Sequence, residues 1–220
     1  MDQNLVTSYH MARNTVIERG YGNEIIWQDS LSFDQLDEGA FLRELAWVIL
    51  SSGMRESVVR RLFLAISEAF FNWESAGLIA AGGQECYRKA IRSFNNPSKI
   101  GAIVSAAQMI NEIGFGKLKS EIADSPIETL RKFPYIGPVT VFHLAKNIGI
   151  PVAKPDRHLS RIATLQGYDN VQDLCLAVSR LTGDSVPVVD IVFWRFATIE
   201  PRYLDLLRDI HCDSNAFSRR

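Results

Sequence analysis

The sequence predicts an all-α fold, and three observations carry that prediction. Apolar residues recur with helical spacing through most of the chain. No segment alternates between apolar and polar for long enough to suggest a strand. The links between periodic segments are short and polar or glycine-containing: Gly82-Gly83, Asn95-Asn96-Pro97 and Gly114-Phe115-Gly116. The periodic segments are 39–51, 56–71, 84–93, 100–113, 126–133, 138–148, 156–166, 171–181 and 186–198. No internal repeat or low-complexity stretch interrupts them.

The segments from 126 onward carry the most local detail. Ser125 suits an N-cap and Pro126 the first helical position. Glu128, three residues on, makes a capping box. The residue before a proline is pushed out of the helical region, so this helix ends by Pro134. A tight turn follows, Phe133-Pro134-Tyr135-Ile136-Gly137-Pro138. Gly137 is the residue expected to take a positive φ. Pro138 is expected to open the next helix, which carries Val139, Val141, Phe142, Ala145 and Ile148. Gly149 then reads as the C′ residue and Pro151 as a stop. Beyond it, Lys154-Pro155-Asp156 places an acid at the N-cap of a further helix, where its side chain accepts backbone N–H groups.

The turn and the acid together suggest chemistry. The N–H groups of Gly137, Val139 and Thr140 have no intrahelical partner in this arrangement. With the helix dipole behind them, they are candidate donors to one phosphate. A carboxylate fixed nearby could act on the sugar attached to that phosphate. On the turn alone, an ordinary corner between two helices is the alternative. For Asp156 alone, a purely structural cap is the alternative.

Bulk properties bound the rest. The 220 residues suffice for a sound core in one or two domains. Hydrophobic content of 47% and charged content of 22% indicate a globular chain. No apolar run reaches membrane-spanning length and no signal-peptide pattern opens the chain, so an intracellular protein is expected, cytoplasmic or nucleoid-associated. Net charge is −1, but the charges are unevenly spread along the chain. Residues 1–50 hold 3 Arg against 8 acids, or −5; residues 51–162 hold 15 Lys and Arg against 9 acids, or +6. A local basic face can bind phosphates without a basic overall charge.

Cys86, Cys175 and Cys212 are far apart, so no four-cysteine iron–sulfur cluster can form, and buried free thiols are expected. His10, His211 and Cys212 lack the spacing of a zinc site. No metal and no cofactor is expected.

Phe133-Pro134-Tyr135-Ile136-Gly137 resembles the hairpin of the helix-hairpin-helix (HhH-GPD) DNA glycosylase superfamily, the endonuclease III-like enzymes of base-excision repair. That hairpin runs hydrophobic-Pro-Gly-hydrophobic-Gly and is followed one helix later by an Asp, which Asp156 matches here. Asp156-Arg157-His158-Leu159-Ser160-Arg161 is similar to the family's Asp-x-His-x-x-Arg. Ile49-Leu50-Ser51-Ser52 resembles the end of the early buried helix, Asn96-Pro97-Ser98-Lys99-Ile100 the turn that starts a middle helix, and Val189–Trp194 a late core helix. The likeness covers roughly residues 40 to 200 and is specific at 130–162.

The resemblance implies two helical lobes with an active-site cleft between them. One would be a central lobe over 41–150 that ends in the hairpin. The other would combine 1–40 with 151–220 and carry Asp156. It implies hydrolysis of an N-glycosidic bond in double-stranded DNA whose damaged or mispaired base is flipped out. Asp156 would stabilise the oxocarbenium-like sugar and orient water. Tyr135, Ile136, Gly137, Val139, Thr140 and Lys132 would contact the backbone. The loop Ser52-Gly53-Met54-Arg55 would fill the gap left by the base, with Met54 as a flexible wedge and Arg55 reaching a phosphate or the orphaned base; a simple helix-end loop is the alternative. No obligate protein partner and no membrane is implied.

Three departures matter. Tyr135 replaces the first hairpin glycine. Val139 stands where bifunctional members carry a lysine, so a monofunctional enzyme is expected. The usual wedge glutamine is missing at Gly53-Met54-Arg55. If a lyase amine exists, Lys154 is the better candidate, and Lys146 reads as solvated. Trp27, Trp47, Trp73, Tyr135 and Trp194 could stack on a flipped base, although Trp47 and Trp194 are expected in the core. The alternatives are a non-catalytic DNA-binding module, a bifunctional enzyme with a displaced lysine, and a glycosidase acting on a free nucleoside or nucleotide.

Overall fold

The computed structural model describes residues 2–217, with side chains over residues 3–210. The chain is all-helical, and no strand occurs among the described residues. No helix among them is long and apolar enough to cross a membrane. The fold divides into two compact units. One is continuous, Ser32–Ile148; the other joins Met1–Leu31 to Gly149–Arg220.

The continuous unit holds α3 (Glu38–Ser51), α4 (Glu56–Ala69), α5 (Ala76–Ala81), α6 (Gly83–Ser93), α7 (Pro97–Ile113), α8 (Phe115–Asp124), α9 (Pro126–Leu130) and α10 (Thr140–Asn147). The numbering leaves α1 and α2 for the other unit. Short polar residues open several of these helices. Asp37 accepts the Ala40 N–H at 2.7 Å, and Asn96 accepts the Lys99 N–H at 3.2 Å. The middle of α3 is buried on nearly every side, from Leu45 to Leu50 apart from the half-buried Trp47. Phe41 on the same helix meets Phe133 and Phe115 with ring centroids 5.7 and 5.8 Å apart.

Helix α4 stops at Ala69, short of the Phe71 that its periodicity suggests. Phe71, Asn72 and Trp73 all take left-handed backbone angles, φ +53°, +49° and +66°. Trp73 accounts for the turn: it is buried, stacks on Phe70 and Phe63, and donates its indole N–H to Ser67 Oγ at 2.9 Å. Burying such an aromatic contributes about 1.5–3 kcal/mol, which offsets part of the strain of about 1–3 kcal/mol at each left-handed residue.

The other unit holds α1 (Asp2–Val16), α2 (Gly22–Asp29), α11 (Arg157–Leu165), α12 (Val171–Thr182), α13 (Val186–Ile199) and α14 (Tyr203–Phe217). A π-helical turn over Ile17–Tyr21 joins α1 to α2, with Gly20 at φ +87°. The core is centred on α13, whose Val188, Val189, Val192, Phe193 and Phe196 are all buried. Tyr9 of α1 packs edge-on against Phe193 and donates its hydroxyl to Asp184 at 2.5 Å. Arg195 makes a forked ion pair with Glu24 at 2.8 and 2.6 Å. Its guanidinium also lies over the rings of Tyr21 and Trp194.

Cys86 and Cys175 are buried and form no disulfide. The side chains of His211 and Cys212, weighed above with His10 for zinc, lie outside the described residues.

Candidate functional site

Within the continuous unit, the hairpin turn differs from its sequence-based expectation. Gly137 does not take the positive φ; Tyr135 does, at +64°. The left-handed position is therefore the one where the resembled hairpin has its first glycine. Pro138 and Val139 form a turn, and the helix begins at Thr140. The Ser125 side chain makes no cap bond, so the expected capping box is absent.

Thr140 closes the hairpin. Its Oγ1 accepts the Gly137 N–H at 2.7 Å and donates to the Tyr135 carbonyl at 3.2 Å. The Gly137 N–H is thus engaged and is not a phosphate donor in this conformation. The Ile136 N–H donates to the Phe133 carbonyl at 3.2 Å, and the Ile136 side chain is buried. Ile136 therefore anchors the turn inward and does not present a contact. The N–H groups of Val139 and Thr140 have no partner among the described residues. Lys132 is exposed, with its ammonium 4.0 Å from Glu121.

The loop after α3 lies beside this turn, and Lys99 connects them. Lys99 is only 5% exposed. Its ammonium donates to the Leu50 carbonyl at 2.7 Å and to the Ser52 carbonyl. It also lies 5.9 Å from the centre of the Tyr135 ring. Burial pushes its ammonium below the ordinary lysine value. Gly53 takes φ +68°, and Met54 and Arg55 are exposed. Met54, Tyr135 and Val139 expose 40%, 42% and 41% of their surface, which gives the two loops an apolar outer face.

Charge does not distinguish the two units. Residues 32–148 hold 13 Lys and Arg against 12 acids, so the segregation seen along the sequence does not make that unit basic. Any electrostatic contribution to phosphate binding there is local, from residues such as Arg55 and Lys132.

In the other unit, Asp156 is the N-cap of α11. One oxygen, Oδ1, accepts both the His158 and Leu159 N–H groups, at 2.9 and 3.1 Å. Oδ2 has no hydrogen-bond partner among the described residues. His158 stands at 3.3 Å from the Tyr203 hydroxyl through Nδ1. Burial pushes its imidazole below the ordinary value, against the raising pull of Asp156.

The approach to Asp156 is held by residues that the sequence reading did not single out. The Ala153 N–H donates to Gln172 Oε1 at 2.8 Å, and the Lys154 N–H to Asp190 Oδ2 at 2.6 Å. An acid within the apolar run Val186–Val192 was the available signal.

Other expectations also change. Lys146 is buried, not solvated, because the last turn of α10 is buried on every side from Leu144 to Asn147. Trp73 is buried, Trp194 is half-buried and packs against the core of its unit beside Arg195, and Trp47 is half-buried beside Arg60. Among the described residues, no group of His, Cys, Asp and Glu could hold a metal. No protein-family model, curated protein or solved structure matches the chain.

Proposed function

We propose that the chain is a DNA glycosylase of the helix-hairpin-helix type, which hydrolyses the N-glycosidic bond of a damaged or mispaired base in duplex DNA. The observation that carries this reading is the state of Asp156. Two backbone N–H groups fix Oδ1, and Oδ2 accepts no hydrogen bond among the described residues. A carboxylate held this way can face a developing oxocarbenium ion without first breaking a bond of its own.

In this reading the Val139 and Thr140 N–H groups receive a phosphate, and Arg55 and Lys132 add charge. Met54 fills the space that a flipped base leaves. The Tyr135 ring supplies an aromatic face at the turn. Val139 has no amine, so the enzyme hydrolyses and does not form a Schiff base.

The test is base release from duplexes that each carry one lesion, with alkali-treated and untreated halves and Asp156→Asn alongside. Strand breaks only after alkali, and only with wild type, support the proposal and name the lesion. Breaks without alkali indicate a lyase amine, with Lys154 the first to replace. No release from any lesion, with tight binding to abasic-site DNA, indicates a non-catalytic module. Wild-type release by Asp156→Asn removes Asp156 from the mechanism.

A further inference from the structure

We propose that Asp190 is a positioning residue for Asp156, acting through the backbone of Lys154. The proposal rests on the reading of Asp156 given above. Asp190 lies in α13 between Val189 and Ile191, and it is 1% exposed. A carboxylate buried among apolar side chains requires hydrogen bonds to be tolerated. One of those is the Lys154 N–H at 2.6 Å, a short charge-assisted bond.

The segment between α10 and α11 has few backbone N–H groups with which to anchor itself. Pro151 and Pro155 have no N–H to donate. The Val152 N–H bonds locally to the Ile150 carbonyl at 2.8 Å. Among the described residues, the two long-range bonds donated by this segment's N–H groups go to side chains on the helices beneath it. Ala153 bonds to Gln172 of α12 and Lys154 to Asp190 of α13. Gln172 also returns a donor to the Pro151 carbonyl at 3.5 Å.

Lys154 is the link to the acid. Its N–H is held by Asp190, and its own carbonyl accepts the Asp156 N–H at 2.8 Å. The peptide units on either side of Lys154 therefore tie the buried Asp190 to the backbone of Asp156. The side chain of Asp156 is fixed from the other direction by α11. Without Asp190 the acid keeps its cap bonds but loses the nearest of the long-range anchors that set where the cap sits.

The experiment uses the full-length protein with Asp190→Leu, Asp190→Asn and Gln172→Leu. Three quantities are compared: single-turnover base release, binding to abasic-site duplex, and hydrogen exchange at the amides of 153–159. A displacement near 1 Å at a reacting group lowers a rate by about 100-fold. Asp190→Leu is therefore expected to lose on the order of 10- to 100-fold in release, with abasic-site binding held within about 3-fold. Asp190→Asn keeps an acceptor oxygen and should recover most of the rate. Exchange at 153–159 should quicken in Asp190→Leu and Gln172→Leu.

Wild-type release in Asp190→Leu overturns the proposal, even where exchange has quickened. So does loss of binding in step with release, or an Asp190→Asn variant as slow as Asp190→Leu. Should Asp190→Leu not fold, Asp190→Ala takes its place, and wild-type release in it overturns the proposal. Failure of the underlying reading looks different. Wild type then releases no base, or Asp156→Asn matches it, and the positioning role falls as well.

Discussion

The ammonium of Lys99 lies 2.7 Å from the carbonyl oxygen of Leu50, at the open C-terminal end of α3. A helix presents unpaired carbonyls and partial negative charge at that end. Lys99 answers both with one buried group, and it also bonds the Ser52 carbonyl on the way into the Gly53–Arg55 loop.

Lys99→Met keeps much of the stem but leaves two inward-facing carbonyls without a donor. An unsatisfied buried polar group costs about 1–3 kcal/mol; with the part-buried Ser52 carbonyl open to water, the variant should lose about that much stability in urea denaturation, from the buried Leu50 carbonyl. A loss below about 0.5 kcal/mol, the range of surface substitutions, would mean that water replaces the ammonium.

Tyr135 combines a left-handed backbone with an exposed ring. Tyr135→Ala removes the ring and keeps the backbone demand; Tyr135→Gly removes both. Left-handed geometry costs a non-glycine residue about 1–2 kcal/mol, and glycine's extra chain freedom offsets about 0.5–1 kcal/mol of that gain. Tyr135→Gly should therefore be more stable than Tyr135→Ala by about 0.5–1 kcal/mol. Calorimetry on the pair checks this, and an alanine variant as stable as the glycine variant would contradict it.

Glu44 supplies a pH dependence. It is a buried acid on α3 that accepts the Asn147 amide at 2.9 Å and lies 3.6 Å from Arg43. Burial pushes its carboxyl above the ordinary value, and Asn147 and Arg43 counter that only in part. The folded state thus holds this proton more tightly than the unfolded chain does. The contribution of Glu44 to stability is complete below about pH 4.3, the unfolded value, and is lost as pH rises through the raised folded value. Glu44→Gln should flatten the decline of the urea midpoint as pH rises above about 4.3. It should also match or exceed wild-type stability at neutral pH. A variant with the wild-type slope would remove Glu44 as its source.

Val139 offers a gain-of-function test of the proposed chemistry. It is exposed at the N-cap of α10, the position at which bifunctional enzymes of the resembled family carry their lysine. Val139→Lys should add strand cleavage without alkali on any lesion that wild type excises, and borohydride should trap a covalent DNA adduct. Alkali-dependent cleavage alone would separate this hairpin from the lyase geometry.

The fold class was legible because helical periodicity is a property of many residues at once. Asp156 as an N-cap and Gly149 as a C′ residue, at φ +88°, were legible for the local reason that caps use a small set of residues. The left-handed residue was not. Sequence points to Gly137, but Thr140 binds the Gly137 N–H and the turn places its positive φ at Tyr135. Helices α1, α2, α5, α8 and α14 went unread. The short α5 has too few turns to show a period, and glycines disguise the starts of α6 and α8. Lys99 and Asp190 were hidden for a common reason: each makes its decisive bonds to backbone far away in sequence.

The unit built from both ends of the chain has a consequence for synthesis. Leu5, Tyr9, Ala12 and Val16 of α1 are buried against helices that begin after residue 149. When α1 leaves the ribosome, none of those partners has been made. Translation at about 5–20 residues per second leaves it waiting on the order of ten seconds, while Ser32–Ile148 can already fold behind it. A nascent chain arrested once residue 148 has cleared the ribosome tunnel would therefore carry a complete central unit and an N-terminal helix with its apolar face still uncovered, the part of the molecule that a chaperone would meet first.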